Sequence, residues 1–333
     1  MTQFLSATTL ARVDELHRQF STAKPFRHVV IDDFLDDDVC RRMTDEFPAF
    51  DEAAATNELG LVGGKAVQEG IRELGGVYAE VDRQIQEQRF LRAIGQISGI
   101  DDLLYDLHYT GGGTHENISG QSLDPHVDFN YHPIEHWHRR LNLIVYLNEE
   151  WDETWGGAIE FHRDPWADDD EIATWLPSYN RAVLFETTER SWHGFRQIRP
   201  SDDGTTRSRR SFAVYLYSHD RPEDETFAPH TTHYVQRPLP EHLVAGHTLD
   251  ASDVTAISKA VGQRTHWIRF MYDREMELSA EIERLRGELS SRPAVLPGAS
   301  TLRRWFRRSP RLQALAPKGS RRRRTLRRAA GHH

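Results

Sequence analysis

The 333-residue sequence predicts an α+β fold: a β-sandwich or jelly-roll core, preceded by helices and followed by one long helix. Three observations carry this expectation. Apolar residues recur at helical spacing through much of the first hundred positions. From Leu103 short β-rich runs alternate with Gly, Pro and Asp clusters, and after Ala251 helical spacing returns. Hydrophobic content of 38% and aromatic content of 10% argue for a globular chain. No stretch approaches the run of about 20 apolar residues that spans a bilayer, and Met1–Leu5 lacks the pattern of a secretion signal. The expectation is a soluble cytoplasmic protein.

Along the first 102 residues, a support region for the core, Thr8 or Thr9 is placed to cap a helix with Leu10, Val13, Leu16 and Phe20 on its apolar face. Pro25 ends it, and Phe26 to Phe34 reads as a strand. Asp36 to Phe47 returns to helix, with Asp36, Asp37 and Asp38 where the helix dipole favours negative charge, and Pro48 stops it. The lone cysteine, Cys40, shares helical spacing with Leu35, Val39, Met43 and Phe47, which predicts a buried thiol. Residues 50–75 read as loop and Val77 to Ile97 as one helix. Strands are expected at Leu103–Tyr109, Leu141–Leu147, Ala158–Phe161, Arg181–Phe185 and Ser211–Tyr217, within a core domain over 103–222. A connecting segment, 223–251, holds a further short strand near Thr231–Val235.

Ser252 is the expected cap of a helix over 252–290. Within 268–289, Ile268, Met271, Leu278, Ile282, Leu285 and Leu289 alternate three–four spacings, broken by Glu275. That is the seam of a short coiled coil, hence of a homo-oligomer, and it competes with plain packing on the same chain. Residues 291–333 carry 13 Lys and Arg and no carboxylate, so the first 290 hold 29 basic residues against 51 acidic ones. This tail is expected to be disordered. Its Trp305-Phe306 pair among arginines fits an anionic membrane surface over 301–328, and a peripheral membrane location with it, better than nucleic acid.

The chemistry concentrates in Leu123-Asp124-Pro125-His126-Val127-Asp128. A His-x-Asp spacing puts both side chains on one side of an extended strand, which suits a shared metal ion. His162-Arg163-Asp164 repeats the spacing. A distal histidine, His193 in Ser191-Trp-His-Gly-Phe195, decides between them: it lies 65 residues beyond Asp128, room for several strands, but only 29 beyond Asp164. Two His and one carboxylate on one face of an octahedron leave open positions for cosubstrate and oxygen at Fe(II). Between them, Tyr146-Leu-Asn148 leads through Trp151 to Gly156-Gly157, glycines suited to a close backbone approach. Beyond His193, Arg207-Ser-Arg-Arg210 opens a strand where a guanidinium would suit a carboxylate. The histidines His115, His132, His136 and His138 read as surface or pocket-lining residues rather than a second metal site, and Trp137 and Trp155 as packing residues.

These motifs, in this order, resemble the 2-oxoglutarate- and Fe(II)-dependent oxygenases, and within them the prolyl 4-hydroxylase-like branch. The resemblance covers roughly residues 103–220, with a second likeness over Phe26–Phe47. It implies a double-stranded β-helix core and Fe(II) held by His126, Asp128 and His193. It also implies 2-oxoglutarate as cosubstrate with O2, and ascorbate as an accessory reductant. Arg210 would hold the far carboxylate of 2-oxoglutarate, with Arg209 as its competitor because strand parity leaves both open; Tyr109 would line the cosubstrate pocket. The stretch between His193 and Arg210 is long and includes Pro200-Ser-Asp-Asp-Gly204, read as a surface loop. The implied reaction is hydroxylation of a small-molecule or peptidyl substrate (a prolyl or amino-acid group, or a biosynthetic intermediate) with release of succinate and CO2. Asp128 disfavours halogenation, since halogenating relatives carry a small residue there. A non-catalytic jelly-roll binding or scaffold protein is the alternative, and a cupin-like isomerase would want more histidines at the metal.

Overall fold

The computed structural model describes residues 4–50, 66–201, 205–240 and 242–291. The expectations for residues 291–333, for Leu289 and for much of the 50–75 and Pro200–Gly204 loops lie outside the described residues or side chains. Two units divide the chain, Met1–Ala260 and Val261–His333.

The first unit opens with α1 (Ala7–Ala11) and α2 (Val13–Thr22), then β1 (His28–Ile31), α3 (Asp37–Asp45), β2 (Ala66–Gln68), α4 (Gly76–Ile85) and α5 (Gln88–Ser98). Strands β3 (Leu104–Tyr105), β4 (Gly113–Asn117), β5 (Leu123–Val127), β6 (His138–Tyr146), β7 (Ile159–His162), β8 (Ile172–Trp175), β9 (Ala182–Glu186), β10 (Trp192–Phe195), β11 (Arg209–Ser218) and β12 (His233–Tyr234) follow. They form two antiparallel sheets, β1-β9-β6-β11-β4-β2 with β3 also on β11, and β12-β5-β10-β7-β8. This is the expected α+β jelly roll.

Alternation along the strands sets the layers. On β6 and β11, Leu141, Leu143, Val145, Phe212, Val214 and Leu216 face one way and join Leu16, Phe20, Met43, Tyr78, Ile85 and Ile94 of the helices in the main core. The intervening residues face the second sheet, where Tyr146, Val183 and Phe185 pack on Ile159 and Phe161. Cys40 is a buried core thiol, its pKa pushed up to about 12 by burial.

Several local expectations give way to specific hydrogen bonds. Ser6, not Thr8 or Thr9, caps α1 by accepting from Thr9 N; Thr9 is buried and donates to Phe34 O at 3.2 Å. The single helix expected over Val77–Ile97 is two, α4 and α5, separated at Gln86–Glu87. The Leu103–Tyr109 strand stops at Tyr105 because the Asp106 carboxylate accepts from His108 N (2.7 Å) and Thr110 N (2.8 Å), turning the chain. Strands β2 and β4 were not expected: Gly-Thr-His-Glu-Asn has little apolar content, yet every residue of β4 is buried.

Residues 251–291 form one helix, α6 (Ala251–Ser291). Asp250 rather than Ser252 caps it, its Oδ1 accepting from Ser252 N at 2.7 Å and Asp253 N at 2.9 Å. No helix of the described residues is long and apolar enough to cross a membrane.

Candidate metal and cosubstrate site

Strands β5 and β10 are antiparallel neighbours, and their register sets His193 opposite His126. The two imidazoles lie 4.2 Å apart between ring centres. Asp128 follows immediately after β5, with Oδ1 3.8 Å from His126 Nε2 and Oδ2 3.5 Å from His193 Nε2. The expected triad therefore converges, with three ligand-type atoms within 4.8 Å of one another. Each ring's other nitrogen meets a carbonyl of its own strand: His126 Nδ1 and Asp124 O at 2.9 Å, His193 Nδ1 and Ser191 O at 2.8 Å. A carbonyl only accepts, so Nδ1 carries the proton in both rings and Nε2 presents its lone pair inward, the arrangement that metal-ligating histidines adopt.

Asp128 sits in a cationic cradle that inspection of the sequence missed. Arg139 Nη2 lies 3.1 Å from Asp128 Oδ2, and Asn142 donates to the same oxygen at 2.7 Å. Arg139 in turn donates to Asn142 Oδ1 through Nε (3.0 Å) and Nη2 (2.8 Å), and its guanidinium stacks on Tyr215 and Phe129. Burial pushes the Asp128 pKa up, but Arg139, then His193, His126 and Asn142, outweigh it and hold the carboxyl well below its ordinary range. A polar Asn142 in step with Ile144 and Tyr146, within the otherwise apolar run Leu141–Tyr146, was the available signal.

A cavity opens beside the triad, lined among others by His115, Asn117, Ile144, Ile159, Phe195, Arg209, Ser211 and Tyr215. Here the two candidate arginines separate. Arg209 points into the cavity with Ser211 and Tyr215, in step on β11, and is buried. Arg210 points to the opposite side, 41% exposed in its side chain and 3.0 Å from Glu116 Oε1. Period two allows only one of two successive residues to face the second sheet. Arg209 donates through Nε to Gly157 O (2.7 Å) and through Nη2 to Tyr146 Oη (2.9 Å), and its guanidinium lies over the Phe195 ring. Among the described residues it has no carboxylate partner, and burial holds its pKa below the ordinary value. The paired glycines allow a close approach of other segments beside it: a Cβ at Gly156 would lie 2.2 Å from Gln197 O. Gly157 has φ +71°, and a Cβ there would lie 2.9 Å from Trp151 Cζ2 and 3.4 Å from Arg209 Cδ.

Tyr109 is not among the residues lining this cavity. Its ring packs in the helix-side core and its hydroxyl donates to Asp82 Oδ1 at 3.2 Å, because the Asp106 turn takes the chain across to that layer. The competing pair separates as well. His162 Nδ1 meets Asp170 Oδ2 at 2.6 Å, while Asp164 accepts from Trp166 N. Of the further histidines, His115 lines the cavity and His136 is exposed, but His132 does neither. It is fully buried, with Nδ1 accepting from Ile134 N and Glu135 N and Nε2 against Asp106 at 3.1 Å.

Residues 113–219, about a third of the chain, match the family model of the 2OG-Fe(II) oxygenase superfamily. No curated protein matches the chain in sequence. Among solved structures it is similar to a prolyl hydroxylase from Trichoplax adhaerens in complex with a hypoxia inducible factor peptide fragment. That pair has 12% identity and a TM-score of 0.43, covering 63% of this chain and 91% of the other. A Pseudomonas putida prolyl-4-hydroxylase is 16% identical with a TM-score of 0.36, over 62% of this chain and 99% of its own. HygX from Streptomyces hygroscopicus, with nickel and 2-oxoglutarate bound, is 14% identical with a TM-score of 0.41, over 66% and 96%. Residues 113–219 are thus similar to the 2OG-Fe(II) oxygenase superfamily, and the converging His126, Asp128 and His193 lie within that stretch.

Proposed function

We propose that His126, Asp128 and His193 hold the Fe(II), and that Arg209, assisted by Tyr146, grips the far carboxylate of 2-oxoglutarate. One observation carries this reading: a buried guanidinium with no carboxylate partner among the described residues opens on the same cavity as three converging ligand atoms. Burying a cation without a counter-ion costs several kcal/mol, and a dicarboxylate bound beside it offsets that cost. Ser211 Oγ and Asn117 Oδ1, both buried and without a hydrogen-bond partner among the described residues, line the same cavity and fit a polar ligand.

When bound, the iron activates dioxygen and couples decarboxylation of 2-oxoglutarate, to succinate and CO2, with oxygen insertion into a C–H bond. The chain's own residues prepare the place. Asp124 O and Ser191 O orient the two imidazoles, Arg139 and Asn142 keep Asp128 ionised and in one rotamer, and Ile144, Ile159 and Phe195 supply apolar walls that limit water. The order of motifs favours the prolyl 4-hydroxylase-like branch, with prolyl or other amino-acid groups and small biosynthetic intermediates as substrate classes; fold does not select among them. The test is an anaerobic titration of the protein with Fe(II) and 2-oxoglutarate, read in the visible charge-transfer band of the chelate. The band is expected in the wild type and absent in His193→Ala. A folded protein without the band overturns the cosubstrate reading, and its survival in His193→Ala overturns the ligand set.

For α6 the reading is self-association. Ile268, Met271, Leu278, Ile282 and Leu285 are 47–64% exposed in the single chain, a run of apolar seam positions that a second helix would cover.

A further inference from the structure

A second group of metal-ligating side chains stands outside the oxygenase cavity, at the start of α6. His242 Nε2 and His247 Nε2 each meet the Asp253 carboxylate at 2.7 Å, one on Oδ1 and the other on Oδ2. Like the triad, the three residues bring ligand-type atoms within 4.8 Å of one another. The donor set is two imidazoles and one carboxylate, which suits zinc and other borderline divalent ions. The carboxylate is buried (3% exposed), whereas His242 and His247 are 58% and 31% exposed. The far side of the cluster therefore faces solvent, which allows metal entry and a water ligand.

The chain leading into this cluster lacks the usual cause of order. From Pro238 to Asp250 no described residue is buried, and Leu239, Val244 and Leu249 are 50%, 65% and 51% exposed. Even so, this segment turns back, with Leu243 N bonding Pro240 O and His247 N bonding Val244 O, and delivers both imidazoles to one carboxylate. Capping of α6 needs only Asp250 and Asp253: Asp253 N bonds Asp250 Oδ1, and Asp250 N bonds Asp253 Oδ2. The two histidines are surplus to that cap. A short exposed segment without an apolar core is the kind of structure that a metal staples.

We propose that His242, His247 and Asp253 form a second divalent-metal site, of zinc type, that fastens residues 242–250 to the first turn of α6. Each imidazole shifts its proton from Nε2 to Nδ1, so two N–H···O bonds are exchanged for three bonds to the metal without net proton release. At metal–ligand distances of about 2.0–2.1 Å, tetrahedral ligand atoms stand roughly 3.3 Å apart, so the present 2.7 Å contacts open by about half an ångström.

Zinc binding is titrated calorimetrically, at neutral pH and after chelator treatment, into four full-length proteins: wild type, His242→Ala/His247→Ala, His126→Ala/Asp128→Ala/His193→Ala, and the variant combining both sets. The expected result is the loss of one equivalent on substitution of His242 and His247, in the wild-type and in the triad-substituted background alike. Unchanged far-UV circular dichroism and melting of the zinc-free proteins report that each variant is folded. Because the comparison is a difference, it stands even if the triad takes no zinc, and so its failure is distinct from failure of the iron-site reading. Hydrogen exchange over 242–250 should slow several-fold with zinc in the wild type and not in His242→Ala/His247→Ala. Equal stoichiometry with and without the two histidines, or unchanged exchange on adding zinc, overturns the site and leaves the cluster as hydrogen bonding around a helix cap.

Discussion

Arg139 and Asp128 form a largely buried ion pair, Nη2 to Oδ2 at 3.1 Å, and the side chain of Asn142 bridges the two. The pair ties the most buried cation of the second-sheet face to the carboxylate of the metal triad. Removing Arg139 strands a buried negative charge. Arg139→Ala should therefore cost about 3–5 kcal/mol of stability, read by urea unfolding, and Asp128→Ala in the same chain should recover part of it. Asn142→Ala leaves the ion pair and removes one orienting bond. It should weaken Fe(II) or Mn(II) binding about 10–100-fold with the fold intact. Unchanged metal affinity would remove Asn142 from the site's support.

Successive arginines on β11 have opposite fates, which gives a sharp comparison. Arg209→Met removes the buried guanidinium that faces the cavity. With charge-assisted bonds worth about 1.5–3 kcal/mol each, 2-oxoglutarate binding in the presence of Mn(II) should weaken by about 100-fold or more. Arg210→Met breaks a partly exposed pair with Glu116 and should shift the same affinity by no more than about twofold. Calorimetry with the two variants decides the assignment; the reverse order would restore Arg210.

On the outer side of β7, Glu160 accepts from Arg196 and Arg237, each at 2.6 Å. Burial raises its pKa, but His162, Arg237 and Arg196 outweigh burial and bring it to about 2 from an ordinary 4.5. A depressed folded-state pKa means stabilisation that is present above about 4.5 and is lost as pH falls towards 2. The contribution at neutral pH is at most about 3 kcal/mol. Glu160→Gln should thus be less stable than wild type at pH 7, with the gap closing as the pH approaches 2. A gap independent of pH would show that the carboxylate's charge is not what matters there.

The α6 seam predicts a concentration-dependent oligomer. Ile282→Asp with Leu285→Asp places two charges on the exposed apolar stripe and should shift light-scattering mass to that of the single chain. Turnover per chain should be unaffected. A wild type that is monomeric at high concentration would refute self-association through this helix.

The convergence of His126, Asp128 and His193 was legible in the linear order because it depends on local rules. His-x-Asp obeys the two-residue strand period, and a histidine 65 residues on leaves room for intervening strands. Element types were readable for the same reason, since apolar spacing reports a strand or helix wherever one face is buried. Strand β2 escaped because it is three residues long with only Ala66 buried, and β4 because its buried residues, Gly-Thr-His-Glu-Asn, are mostly polar. The choice between Arg209 and Arg210, the displacement of Tyr109 to the helix layer, and the Arg139–Asn142 cradle belonged to another level. Each depends on which face of a strand meets the second sheet and on turns set by single carboxylates such as Asp106. Residue order states that two arginines stand side by side. Only the pairing of β11 between β6 and β4, with the second sheet packed across it, leaves one guanidinium buried beside the metal ligands and turns the other out to Glu116.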